Sequence, residues 1–144
     1  MSPHGPDHDA ALGGVAEILM RVLAGRATVR IQSGFAASDG SEPEPDVAVV
    51  PPGDYDAHHP SAAWLIIEVA KLSLPKDMGP KARLYAQAGV EEYWVVDLID
   101  GAIAVHAEPR AGFYAHVKRV RRGEDIALRH FSDVHVAVST VVKG

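Results

Sequence analysis

Apolar positions in the first part of the chain keep a helical rhythm, and further on they run together or alternate as strands do. From Asp7 or Asp9 to about Leu23, the residues Leu12, Val15, Ala16, Leu19, Met20 and Leu23 mark one stripe, which predicts an amphipathic helix. Gly13 and Gly14 weaken its start and Gly25 ends it. Residues 27–32 alternate, with Val29 and Ile31 on one face, as a strand does. A polar, glycine-containing loop from Ser33 to Glu44 follows, then Pro45 and Asp46 open a strand, DVAVV, closed by Pro51 and Pro52. Trp64 to Ala70 is a nearly unbroken apolar run, the mark of a strand covered on both faces. Asp77 can cap a helix running to about Ala88, with Gly89 as the residue after its cap, and Tyr93 to Val96 is a second apolar strand. Strand, helix and strand in that order make a crossover, so 64–70 and 93–97 should be parallel neighbours. Asp100-Gly101 is a hairpin turn linking EYWVVDLI to AIAVHAE. Further turns lead into FYAHVKRV and DIALRHF, and Val134 to Val142 alternates as a last strand.

Composition narrows the class. A chain of 144 residues is long enough for one core and short for two, so a single domain over 1–144 is expected. It has no cysteine, which excludes disulfides and thiolate zinc sites and fits a reducing compartment. No run approaches a membrane span, and MSPHGPDHDAAL lacks the basic flank and apolar core of a secretion signal. A soluble, cytoplasmic protein with no membrane partner is expected. The net charge of −5 argues against a surface that grips nucleic acid everywhere, and leaves room for a local basic patch. Eight histidines are scattered without a helical His-x-x-x-His pair. His8 reads as a capping or solvent residue, and Asp54, Asp56, His58 and His59 as a solvated loop without a role.

Glu68 is the residue that needs explaining, because a carboxylate near the end of a buried strand is costly unless something pairs with it or binds it. If 27–32, 45–50 and 64–70 form an antiparallel meander, the start of the second strand lies beside the end of the third, and Asp46 comes close to Glu68. With the Val69 carbonyl between them, the two acids make an oxygen-rich site of the kind that holds magnesium through few protein ligands and several waters. The plainer alternative is that Asp46 caps a turn and Glu68 pairs with a lysine. Lys81 shares a helical stripe with Met78, Tyr85 and Ala88, so its cation belongs on the face that meets the sheet, where it can orient an attacking water. Lys71, three residues after Glu68, is its rival, but strand alternation turns it to the opposite side unless the strand end bulges.

Several stretches together resemble a known family: PEPDVAVV (43–50), WLIIEVAKLSL (64–74), KDMGPKARLYAQAGVEEYWVVDL (76–98), the first helix and the hairpins that follow. They look like the Uma-type restriction endonucleases, a family within the PD-(D/E)XK nuclease superfamily. The resemblance implies an α+β fold with a restriction-endonuclease-like αβββαβ core, a mixed sheet with flanking helices and C-terminal β-hairpins. It implies metal ligands at Asp46, Glu68 and the Val69 backbone carbonyl, a catalytic lysine moved from the strand to the helix at Lys81, a divalent ion (Mg2+ or Mn2+) and phosphodiester hydrolysis. Relatives commonly carry a further stretch before the first helix, so against the family pattern this chain reads as N-terminally short. Where they have an acid or serine after Glu68-Val69-Ala70, it has Lys71. Asp97 also falls in the pattern and reads as a cap of the turn before Asp100-Gly101.

Two functions follow from these residues. One is a metal-dependent endonuclease acting on nucleic acid, with DNA the expected substrate, in which Lys118, Arg119, Arg121 and Arg122 of HVKRVRRG contact phosphates. That basic run also reads as an exposed hairpin that discourages edge pairing. The other is a catalytically degenerate member kept as a binding or oligomerisation module. A homodimer is expected, since a second copy would cover exposed sheet edge or apolar surface. Metal binding separates the two functions.

Overall fold

The computed structural model of the chain describes residues 5–143. Its elements are α1 (Pro6–Val22), β1 (Thr28–Ile31), β2 (Val47–Val50), β3 (Leu65–Ala70), α2 (Leu74–Met78), α3 (Pro80–Gln87), β4 (Glu92–Asp97), β5 (Ala102–Arg110), β6 (Phe113–Arg121), β7 (Asp125–Ala127) and β8 (His135–Ala137). Six strands form one mixed sheet in the order β1-β2-β3-β4-β5-β6, and β7 pairs with β8 in a small second sheet. The three first strands are the expected antiparallel meander, with Val47 opposite Ile67. β3 and β4 are parallel, with Glu68 opposite Val95, and β4, β5 and β6 continue antiparallel.

Both faces of the sheet are covered, which is why β2, β3 and β4 are buried at every position. On one face, Val47, Val49, Leu65, Ile67, Val69, Trp94 and Val96 pack with α1 and with residues 126–142. On the other, Ala48, Val50, Ile66, Ala70, Tyr93 and Val95 pack with α3. Phe35 joins that second face from the loop expected to be polar; it is fully buried, and its ring meets Tyr85 edge-on at 6.1 Å. The strand alternation that sends Ile66 and Ala70 to the α3 face sends Glu68 there too.

Three expectations need correcting. The single helix 77–88 is two: Gly79 and Pro80 break the run, because proline has no N–H to continue a helix and disfavours helical geometry in the residue before it. Asp77 is consequently inside α2 rather than a cap, while Gly89, at φ +77°, does close the second piece. The last strand stops at Ala137 and passes into a 3-10 turn over Val138–Thr140. No helix among the described residues is long and apolar enough to cross a membrane.

Candidate active site

The meander register carries Asp46, just before β2, alongside Glu68. The two acids are interlocked through the backbone: the Asp46 N–H donates to Glu68 Oε1 at 3.0 Å, and the Val69 N–H donates to Asp46 Oδ2 at 2.8 Å. Val69, expected to offer its carbonyl, is thus seen holding the site through its N–H. From α3, Lys81 Nζ donates to Glu68 Oε2 at 3.0 Å, and the Tyr85 hydroxyl donates to the same oxygen at 3.3 Å. Lys81 Nζ also lies 3.5 Å from Asp77 Oδ1, whose other oxygen accepts the Ser73 hydroxyl at 2.7 Å. The break at Gly79-Pro80 leaves Asp77 and Lys81 four residues apart and facing each other.

Glu68 is 3 % exposed. Burial pushes its carboxyl up to about 7; Lys81 and the Asp46 N–H pull it back, and the neighbouring Asp46 charge adds to the rise. For Lys81, burial works against the ammonium, and the Glu68 and Asp77 carboxylates outweigh it, so its value lies above the ordinary lysine value. Lys81 stays charged, and Glu68 is the group whose state changes near neutrality. Lys81 also stands on the wall of an open groove of about 600 Å³ shared with Lys76, Arg83, Asp39 and Glu42.

The pair fits a hard divalent cation by donor chemistry, since magnesium is held by one or two carboxylates and keeps several waters. Asp46 directs Oδ2 to the Val69 N–H. No cluster of three or more His, Cys, Asp or Glu side chains with metal-holding geometry occurs among the described residues. Any ion here would rest on the two carboxylates, the expected Val69 carbonyl and water.

A family model described as "Putative restriction endonuclease", Uma2, matches residues 1–139. The chain belongs to the Uma2 family. A crystal structure of a "putative nuclease belonging to DUF820" from Anabaena variabilis ATCC 29413 has the same fold, at TM-score 0.78 and 15% identity, covering 99% of this chain and 83% of that one. No curated protein matches. In this Uma2 chain the order α1-β1-β2-β3-α2/α3-β4 is the αβββαβ core that the resemblance implied.

The remaining candidates fall outside the Asp46–Glu68 cluster. Lys71 turns to α1, where Nζ pairs with Asp7 Oδ2 at 3.0 Å in an exposed contact, as strand alternation requires. In the basic hairpin, Arg119 is held by Asp97 at 2.8 Å and Asp100 at 2.7 Å, and Arg121 by Asp100 at 3.0 Å. Lys118 and Arg122 are exposed. Asp97 does cap its turn, with Oδ1 accepting from the N–H groups of Ile99 and Asp100. Asp54, Asp56, His58 and His59 lie in a loop away from the acids, where the Asp56 N–H closes a turn on Asp54 Oδ1.

Sequence reasoning missed two neighbours of the pair. Asp77 is buried and faces Lys81, a position that its four-residue spacing could have revealed once the Gly79-Pro80 break was respected. His8 is not a solvent residue: it is 6 % exposed, with Nε2 3.3 Å from Asp46 Oδ2 and Nδ1 3.4 Å from Asp9 Oδ1. Nothing local signals that contact, because it depends on where α1 docks.

Proposed function

We propose that this Uma2 chain is a divalent-metal-dependent endonuclease that hydrolyses phosphodiester bonds in DNA, with magnesium or manganese held by Asp46 and Glu68, and that it works as a homodimer. The observation that supports the reading is the interlock of two carboxylates at the ends of β2 and β3 with the Lys81 ammonium 3.0 Å from Glu68 Oε2. A bound divalent ion supplies charge for the phosphate oxygens and lowers the pKa of a coordinated water. The residues of the chain do the rest. Asp46 and Glu68 are fixed by N–H donors before any substrate arrives, so no reorganisation is needed at the moment of reaction. Lys81, anchored by Asp77 at its rear, keeps an ammonium beside the pair, where it orients a water and balances charge developing on the phosphate. Its groove opens to solvent on the Lys81 side of the pair, with Lys76 and Arg83 as further cations for a phosphate chain.

The basic hairpin is a secondary surface. β6 stands three strands from β3, about 14 Å at the usual strand spacing, or about four base pairs of duplex. Lys118 and Arg122 are its cations for phosphate, whereas Arg119 and Arg121, exposed as well, already serve Asp97 and Asp100.

One observation favours the degenerate-module alternative: Lys81 neutralises Glu68 directly, so the buried acid is satisfied by protein alone. Cleavage assays on DNA with Mg2+ or Mn2+ separate the two. Lys81→Ala should lower the cleavage rate at least about a hundredfold, the scale for a cation placed on transition-state charge, while Lys71→Ala leaves it within a few-fold. Loss of activity in Lys71→Ala with Lys81→Ala unaffected would reverse the assignment. No cleavage of DNA or RNA by the unaltered protein in either metal would hand the case to the module.

A further inference from the structure

We infer that His8 is a positioning residue of the metal site, bracing Asp46 from the first turn of α1. The inference rests on the reading of Asp46 and Glu68 as metal ligands and extends it to a third element. Buried rings at a helix entrance need a reason, because the first turn of a surface helix is ordinarily open to water. Here the reason is tertiary. His8 Nε2 lies 3.3 Å from Asp46 Oδ2, the oxygen that also accepts the Val69 N–H. The Val69 N–H bonds that oxygen, and the His8 ring closes on it at ion-pair distance without an aligned hydrogen bond, so two elements confine one oxygen of the carboxylate. The opposite ring nitrogen lies 3.4 Å from Asp9 Oδ1, which limits rotation of the imidazole.

The turn that carries His8 is itself tied down. Its neighbour Asp7 pairs with Lys71, at the end of the strand that bears Glu68. α1 thus meets the site end of the sheet at two points, His8 on Asp46 and Asp7 on Lys71. This gives the Lys71 cation a structural part that explains why it is turned from Glu68. Ligating carboxylates are commonly held by a surrounding polar group, and loss of such a group lowers metal affinity by about ten- to a hundredfold.

The test uses Mn2+ as the probe, with its affinity for the full chain measured by calorimetry and thermal unfolding followed in parallel without metal. His8→Ala should weaken Mn2+ binding at least about tenfold with little change in the metal-free unfolding midpoint. His8→Gln, whose amide can occupy the same place beside Asp46 and donate to it, should restore affinity to within a few-fold of the original. Unchanged affinity in His8→Ala, with the unaltered protein binding Mn2+, would overturn the brace and leave the two-carboxylate site standing. Equal loss in His8→Ala and His8→Gln would also overturn it, since the imidazole would then be needed for something an amide cannot do. Should His8→Ala fail to fold, His8→Gln decides alone by the same affinities. If the unaltered protein binds no Mn2+, the metal reading itself falls and the brace with it.

Discussion

Glu68 sits where charge is expensive, and the direction of its shift gives that cost a pH signature. With its folded value raised from 4.5 to about 7, the neutral form is favoured by the fold. The stabilisation is therefore fully present below the unfolded value and is lost as pH rises through 7. In metal-free protein, Glu68→Gln should remove this dependence, and at about pH 8 it should be the more stable protein, by about 3 kcal/mol if the whole shift is expressed. Urea unfolding of both proteins from about pH 5 to about pH 8, without metal, measures it. A Glu68→Gln protein less stable than the original throughout would mean that the Lys81 pair outweighs the burial cost. Added Mg2+ should close the gap, since a cation beside Glu68 favours its charged form. Glu68, Asp46 and Lys81 were all legible in the sequence, because a carboxylate in an apolar run and a lysine on an apolar stripe each break the local pattern. His8 was not, since its neighbours are fixed by helix docking, and Asp77 was missed because its i,i+4 spacing to Lys81 was hidden under a capping role.

The strands were readable because apolar runs are bounded by Pro51-Pro52, Gly89 and Asp100-Gly101, and two covered faces make whole runs apolar. Helix detail was less so: the stripe through Met78, Lys81 and Tyr85 continues across Gly79-Pro80, so periodicity and punctuation disagree there and punctuation wins. Gly14, which only weakened the helix in sequence, has a packing reason, since a Cβ on it would sit 3.0 Å from the Thr140 carbonyl. β4 holds a second buried acid that the run EEYWVVD concealed. Glu92 Oε2 accepts the Trp94 indole N–H at 2.8 Å and Oε1 the Arg129 N–H at 3.0 Å, joining the start of β4 to the segment before β8. Glu92→Leu should cost about 2–4 kcal/mol, because both donors lose their acceptor. Glu92→Gln, which keeps an acceptor, should cost less, and urea unfolding midpoints of the two order them.

Across the whole molecule, β1 and β6 are the edges of the large sheet. β6 carries His116, Lys118, Arg119 and Arg121, charges that discourage strand-to-strand pairing along it. The apolar exposure lies instead on its α3 side, where Phe113 (59 %) and Val117 (53 %) border a groove of about 440 Å³ with Met78, Ala82, His106 and Tyr114. A two-fold pairing there would cover both side chains on each copy. Light scattering should give the mass of a dimer, and Val117→Lys should return a monomer. A monomer at every concentration for the unaltered protein would end the assembly proposal.

The sheet is strung in chain order, so each strand finds its neighbour by closing a modest loop. The face opposite α3 is different: α1 and residues 134–142, far apart in the sequence, must meet over Val47, Ile67 and Trp94. That contact works as a clasp between segments far apart in the sequence. Because α1 also delivers His8 to Asp46, the clasp and the acids are mechanically in series. Loosening the turn over Val138–Thr140 would loosen Asp46, a carboxylate that it never touches.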